Sequence, residues 1–215
     1  MKRLNTKCAL LLFAACSVLT GCGSGSDDDI DTEEKTEATI NYTITISPDL
    51  LKFVTPQVSY VDENGNLVTI TGVEELDGKV IEAKAETTNE NGTTSSVWSQ
   101  VVVSGTGYKC WTVQMKFSRL NFHSYMVVKY IRNDFTEDTS GKVYDFHHGV
   151  NTGVALIKKK GYSTSSYVDN HMSITVGNYK KGDNVENYLE LLATNPDKVG
   201  YYIDGNGNVN RKDEI

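Results

Sequence analysis

The feature that most limits what this chain can fold into is a period of two in its apolar residues. From Ala38 to Ile46, the residues Ala38, Ile40, Tyr42, Ile44 and Ile46 alternate with Thr39, Asn41, Thr43 and Thr45. Alternation of this kind sets one face of an extended segment against a core, and the β-branched content suits a pleated surface. Cys110–Ser118 repeats it, with Trp111, Val113, Met115 and Phe117 on one side. Tyr125–Ile131 is apolar on both faces except at Lys129, the mark of a strand covered on both sides. Shorter strand candidates fall at 56–61, 67–72, 79–87, 96–104, 142–147, 153–158, 172–177 and 199–203. Asp62-Glu63-Asn64-Gly65-Asn66, Asn89-Glu90-Asn91-Gly92 and Asp204-Gly205-Asn206-Gly207 punctuate them, and such residues tolerate the positive φ of tight turns. Together these runs predict a mostly β fold, an antiparallel β-sandwich-like domain over residues 38–215. Were there two small β-domains instead, the division would fall in Ser104–Tyr108, near residue 105.

One short C-terminal helix interrupts the pattern. Asp183 is placed to cap it, and Glu186 three residues later completes a capping-box arrangement. Val185, Tyr188, Leu189 and Leu192 follow helical spacing, and Asn195-Pro196 ends the run.

The N-terminus carries a different kind of information. Lys2, Arg3 and Lys7 precede an apolar run from Cys8 to Leu19. That run is the length of a signal-peptide core and well short of the roughly 20 residues of a membrane span. It ends in Leu19-Thr20-Gly21-Cys22, which resembles the lipobox of bacterial lipoproteins. The resemblance implies a signal peptide over 1–21, with Leu19, Thr20 and Gly21 as the processing signal. It also implies a diacylglyceryl group on the sulfur of Cys22, the first residue after cleavage. Residues 22–37 then read as a tether: a Gly/Ser stretch runs into seven carboxylates and one lysine between Asp27 and Glu37, with no apolar face to bury. An acidic run just after the lipidated cysteine also resembles the export tag of surface-exposed lipoproteins in the Bacteroidetes. That resemblance covers only residues 1–30 and implies lipid anchoring in the outer membrane, facing the cell exterior. A plain solvated linker is the alternative reading of the same residues.

A net charge of −7 argues against nucleic acid, whose phosphates call for a basic face. Cys8 and Cys16 leave with the signal peptide and Cys22 takes lipid, so Cys110 is the only thiol of the mature domain. No internal disulfide is then available, and Cys110, beside Trp111, reads as a buried inert residue.

Motifs for chemistry are sparse. Asp204-Gly205-Asn206-Gly207-Asn208 partly matches a calcium loop, but Val209 stands where glycine is needed and Ile215 where a bidentate Glu is needed. The run is read as a hairpin turn. His147 and His148 are adjacent in a strand-like run, so their side chains point to opposite faces and do not share an ion. His123 and His171 lie at no metal-binding spacing. No G-x-S-x-G or phosphate loop is present, and Asp145 and Asp169 are undistinguished carboxylates. No metal, no cofactor and no enzymatic activity are therefore expected. Flat aromatics near turns or strand ends, beside Asn and Asp, suit a sugar-binding surface, and Trp111, Tyr201 and Tyr202 are the candidates singled out. The expected function is a lipid-anchored, non-catalytic binding protein whose partner, besides the membrane, is a glycan or an outer-membrane protein. Alternatives are a component of a surface appendage working by strand addition at a sheet edge, and a hydrolase.

Overall fold

The computed structural model describes residues 35–86, 96–117, 120–136, 138–139, 142–160, 163–179 and 185–214. Cys22, the expected processing signal Leu19, Thr20 and Gly21, and most of the expected tether lie outside these residues. Among the described residues, ten strands form two five-stranded antiparallel sheets. The first has the order β4 (Val97–Val102), β5 (Lys109–Phe117), β1 (Lys35–Ile46), β7 (Tyr144–Lys160), β8 (Ser163–Tyr179). The second has the order β10 (Val209–Arg211), β9 (Asp197–Ile203), β6 (Phe122–Arg132), β2 (Val54–Val61), β3 (Leu67–Thr71). The chain is thus mostly β, with the sandwich-like arrangement that the alternation predicts.

Both sheets face a single core, in which Tyr42, Trp111, Phe117, Tyr130 and Tyr201 are among the largest fully buried side chains. Tyr42 reaches across it, its hydroxyl 2.9 Å from Ser124 Oγ on the opposite sheet. The other face of β1 is less polar-exposed than its alternation suggests: Asn41, Thr43 and Thr45 are buried too. Their polar groups are met along the ladder, Gln114 donating to Asn41 Oδ1 at 3.0 Å and the Thr43 and Thr112 hydroxyls lying 2.8 Å apart.

β1 begins at Lys35, three residues inside the expected tether, because Lys35, Thr36 and Glu37 pair with Lys159, Lys158 and Ile157 of β7. Backbone pairing does not require an apolar side chain. Nor is Ser104–Tyr108 a domain boundary. It is the β4–β5 hairpin turn, with Val103 N–H donating to Tyr108 O at 2.8 Å and Gly105 and Gly107 at positive φ. Each sheet draws strands from both sides of it.

Among the described residues, three helices lie on connections between the sheets. α2 (Val73–Glu86) links β3 to β4, and α3 (Val185–Thr194) links β8 to β9; α1 (Pro48–Leu51) is a single turn capped by Ser47. α3 falls where its stripe predicts it, burying Val185, Leu189 and Leu192. α2 replaces the strand expected at 79–87. Leu76 and Val80, one helical turn apart, are buried together in the core. The turn candidate at 89–92 lies outside the described residues.

Pairing also fixes which loops share an end. β1 runs from Lys35, opposite Lys159, to Ile46, opposite His148. The start of β1, the end of β7 and the turns 62–66 and 204–208 occupy one end of the sandwich. α1, the 103–108 turn, the start of β7 and the start of β9 occupy the other, the far end. The two turns at the near end are built alike. Asp62 Oδ1 accepts from the N–H of Asn64 and Asn66, and Asp204 Oδ1 from the N–H of Asn206 and Asn208, at 2.7–3.0 Å. The Asp204 run is therefore a hairpin turn whose carboxylate is engaged by its own loop.

Candidate functional site

The chemistry-bearing side chains gather at the far end, on the first residues of β7. Alternation along this strand sends Phe146 and His148 into the core and places Asp145 and His147 on the opposite face. His148 is only 3% exposed. Its Nδ1 lies 2.8 Å from Asp197 Oδ2 on β9, and its Nε2 lies 2.9 Å from the Tyr188 hydroxyl on α3. Tyr130 of β6 donates to the same Asp197 oxygen at 2.6 Å. A consistent assignment has the Tyr188 O–H donating to Nε2 and the Nδ1–H donating to Asp197. Burial and the adjacent Asp197 charge hold the Tyr130 phenol well above its ordinary pKa, so it stays a proton donor. This quartet joins both sheets and α3 through groups that satisfy one another. It offers an oriented imidazole, but it keeps it inside the core.

On the outer face the geometry is more open. The Tyr108 hydroxyl, at the end of the 103–108 turn, donates to Asp145 Oδ2. The Tyr108 and His147 rings lie face to face at a tilt, 4.5 Å between centroids. Asp49 of α1 accepts from the Asp145 backbone N–H at 3.0 Å and from Lys52 Nζ at 2.7 Å. Partial burial works to raise the Asp49 pKa, and these two donors overcome it, leaving the carboxyl below its ordinary value. Burial pushes the His147 imidazole down, with the Asp145 charge opposing, so the ring favours its neutral form. Burial and the Asp145 carboxylate raise the Tyr108 phenol. The result is a half-exposed pair of flat rings flanked by two carboxylates.

The aromatics singled out by sequence stand elsewhere. Trp111 is fully buried, its indole N–H donating to Asp77 Oδ1 of α2 at 2.8 Å. Tyr201 is fully buried on β9. Neither ring is within reach of a ligand in solvent, so the expected stacking role is corrected to a core role for both. The reason is positional: each occupies an inward phase of its strand. Tyr202 points the other way and is half-buried, with the Lys212 ammonium 5.7 Å from its ring centroid. It stands at the near end, opposite His123, and is not brought together with Trp111. Cys110 is buried, as its position suggests, its Sγ 3.4 Å from the Thr45 hydroxyl. His123 Nε2 lies 2.8 Å from Lys212 O. Asp169 and His171 are positions on β8 opposite Val154 and Thr152.

The sequence reading passed over the His148–Asp197–Tyr188–Tyr130 quartet, whose members are far apart in the chain and share no spacing. Among the described residues, no group of three or more His, Cys, Asp or Glu is placed to hold a metal ion. No helix among them is long and apolar enough to cross a membrane. Comparison with protein-family models, with curated proteins and with solved structures finds no match to this chain.

Proposed function

We propose that this is a lipid-anchored, surface-exposed binding protein of the bacterial outer membrane, without catalytic activity, and that its ligand is a glycan or a partner outer-membrane protein. The anchoring half rests on Leu19-Thr20-Gly21-Cys22 and the acidic tether behind it. The binding half rests on the Tyr108–His147 pair with Asp49 and Asp145. Flat rings beside hydrogen-bonding carboxylates suit stacking on a sugar face. The pair stands at the end opposite Lys35, where the tether joins, so a tethered domain holds it away from the membrane. The non-catalytic reading is supported by the burial of the His148 imidazole among its partners.

A glycan array probed with soluble protein starting at Ile30 tests this. Saturable binding that Tyr108→Ala weakens about tenfold, with the fold intact by circular dichroism, supports the reading; loss of one stacking contact is worth about 1 kcal/mol or more. Absence of binding across host and bacterial glycans sinks the glycan form and sends the search to protein partners by cross-linking on intact cells.

One observation favours the structural alternative, strand addition in a surface appendage. Among the described residues β4 is an edge strand, and the chain from Ser96 to Tyr108 contains neither a charge nor a proline. Val97, Val101 and Val102 on it are exposed, Val102 by 56%. Soluble proteins usually protect such an edge with charge or proline. Val101→Lys abolishing self-association or incorporation into fibres would favour this second reading.

A further inference from the structure

We infer that the Tyr108–His147 site selects glycans carrying a protonated amino group, an inference that rests on the glycan-binding reading above and gives it a ligand class. The site is built on fixed elements. Ser47, just after β1, accepts from the His147 backbone N–H at 3.0 Å, and its own N–H donates to His147 O at 2.8 Å. The 103–108 turn packs on α1: a Cβ at Gly107, where φ is +72°, would stand 3.3 Å from Pro48 Cγ. These contacts bring Tyr108, His147, Asp49 and Asp145 together, each of them half-buried.

The first property that specifies an amine is charge. Asp49 is paired with Lys52 at 2.7 Å, a lysine more than half exposed, and its other oxygen takes the Asp145 backbone N–H. Lys109, next to Tyr108 in the chain, is drawn away to Asp77. Among the described residues no lysine or arginine pairs with Asp145. Its Oδ2 accepts from Tyr108, and its Oδ1 accepts from none of the described residues. A sugar laid on the rings takes water from this carboxylate. A neutral sugar leaves the charge unmatched, an acidic one is repelled, and an ammonium compensates it through a charge-assisted hydrogen bond. The second property lies in the rings. Burial, then the hydrogen bond and charge of Asp145 and the charge of Asp49, keep the Tyr108 phenol protonated. Its ring therefore presents a negative π-face to which a cation is drawn, and the neutral imidazole beside it adds no opposing charge. The third property favours a sugar over a lysine side chain. Neither ring nitrogen of His147 has a hydrogen-bond partner among the described residues; its one such bond is made by the backbone N–H. A neutral imidazole offers one donor and one acceptor. A hydroxyl beside a sugar's amine can use them, whereas an alkyl chain cannot.

Calorimetric titration of the mature chain carrying Cys22→Ser tests this with a short glucosamine oligomer, its N-acetylated counterpart and a galacturonate oligomer. The glucosamine oligomer should bind about tenfold tighter than the N-acetylated one, and the galacturonate oligomer should not bind. Asp145→Asn keeps an acceptor for Tyr108 and removes the charge. It should abolish the tenfold preference with an unchanged melting transition. Lys52→Gln, at an exposed side chain, keeps the test decisive if Asp145→Asn fails to fold: it should tighten glucosamine binding about twofold, an effect that added salt removes. Glucosamine binding that both variants leave unchanged lies elsewhere on the acidic chain and overturns the proposal. Tyr108-dependent binding of the N-acetylated or galacturonate oligomer with equal or higher affinity also overturns it, while the glycan reading stands. Polylysine binding as tightly through Tyr108 overturns the sugar class. No binding by any of the three oligomers overturns the proposal, and the glycan array then decides separately whether the glycan reading falls with it.

Discussion

Gly200 shows how a single position can hold a terminus in place. Its N–H donates to Asp213 Oδ1 at 2.8 Å, and its carbonyl accepts from Lys212 N–H at 2.9 Å. A Cβ there would lie 2.2 Å from the Lys212 carbonyl oxygen and 2.9 Å from Tyr125 Cβ. Gly200→Ala must displace the C-terminal segment, and a loss of about 1–3 kcal/mol in urea unfolding is expected. His147 and Asp49 give the residue scale a pH dependence. The folded state favours the neutral His147 ring, so below the ordinary imidazole value of 6.5 the unfolded chain binds more protons and stability falls as pH falls. The lowered Asp49 carboxyl acts in the same direction, below 3.8. Urea midpoints should therefore decline from pH 7 to 5.5 and again below pH 4. His147→Gln should flatten the first decline and leave the second. Little at this scale was legible in the sequence. Trp111 and Tyr201 look like binding aromatics when read singly, and only sheet packing reveals that their strand faces point inward.

At the scale of elements, legibility follows periodicity. β1, β5 and β6 announce themselves because their inward faces are unbroken, and α3 because its apolar stripe ends at Asn195-Pro196. β7 is legible only as two fragments, since His148 and Thr152 interrupt the apolar pattern of its inward face while the backbone pairs continuously with β1. α2 was misread because Lys79-Val80-Ile81-Glu82 also suits a strand. Its helical register becomes clear from Asp77, which accepts from Trp111, from Gln100 at 2.5 Å and from Lys109 at 3.3 Å. Asp77→Ala leaves a buried indole N–H without its acceptor and should cost about 2 kcal/mol, with a shifted tryptophan emission. Asp77→Asn retains an acceptor and should cost less in the same denaturation measurement.

For the molecule as a whole, the decisive fact is that each sheet interleaves strands from before and after Ser104. A fragment ending there keeps β1 to β4 but loses β5, which lies between β1 and β4, and β6, which carries β2. Such a fragment should show no cooperative unfolding, whereas 35–215 should melt in one transition by circular dichroism. The two-sheet architecture was readable from alternation and turn spacing. The strand order was not, because it depends on which edges meet in space.

The placement of β1 has a mechanical consequence. Lys35 begins a strand locked on one side by β5 and on the other by β7, with its axis running from the near end to the far end. A domain held by its N-terminus and tugged by a ligand at the far end would load both ladders along their length. Their hydrogen bonds would resist together in shear, where peeling from an edge strand would break them one at a time. Under flow, such a tether should come away from its ligand before its domain unravels.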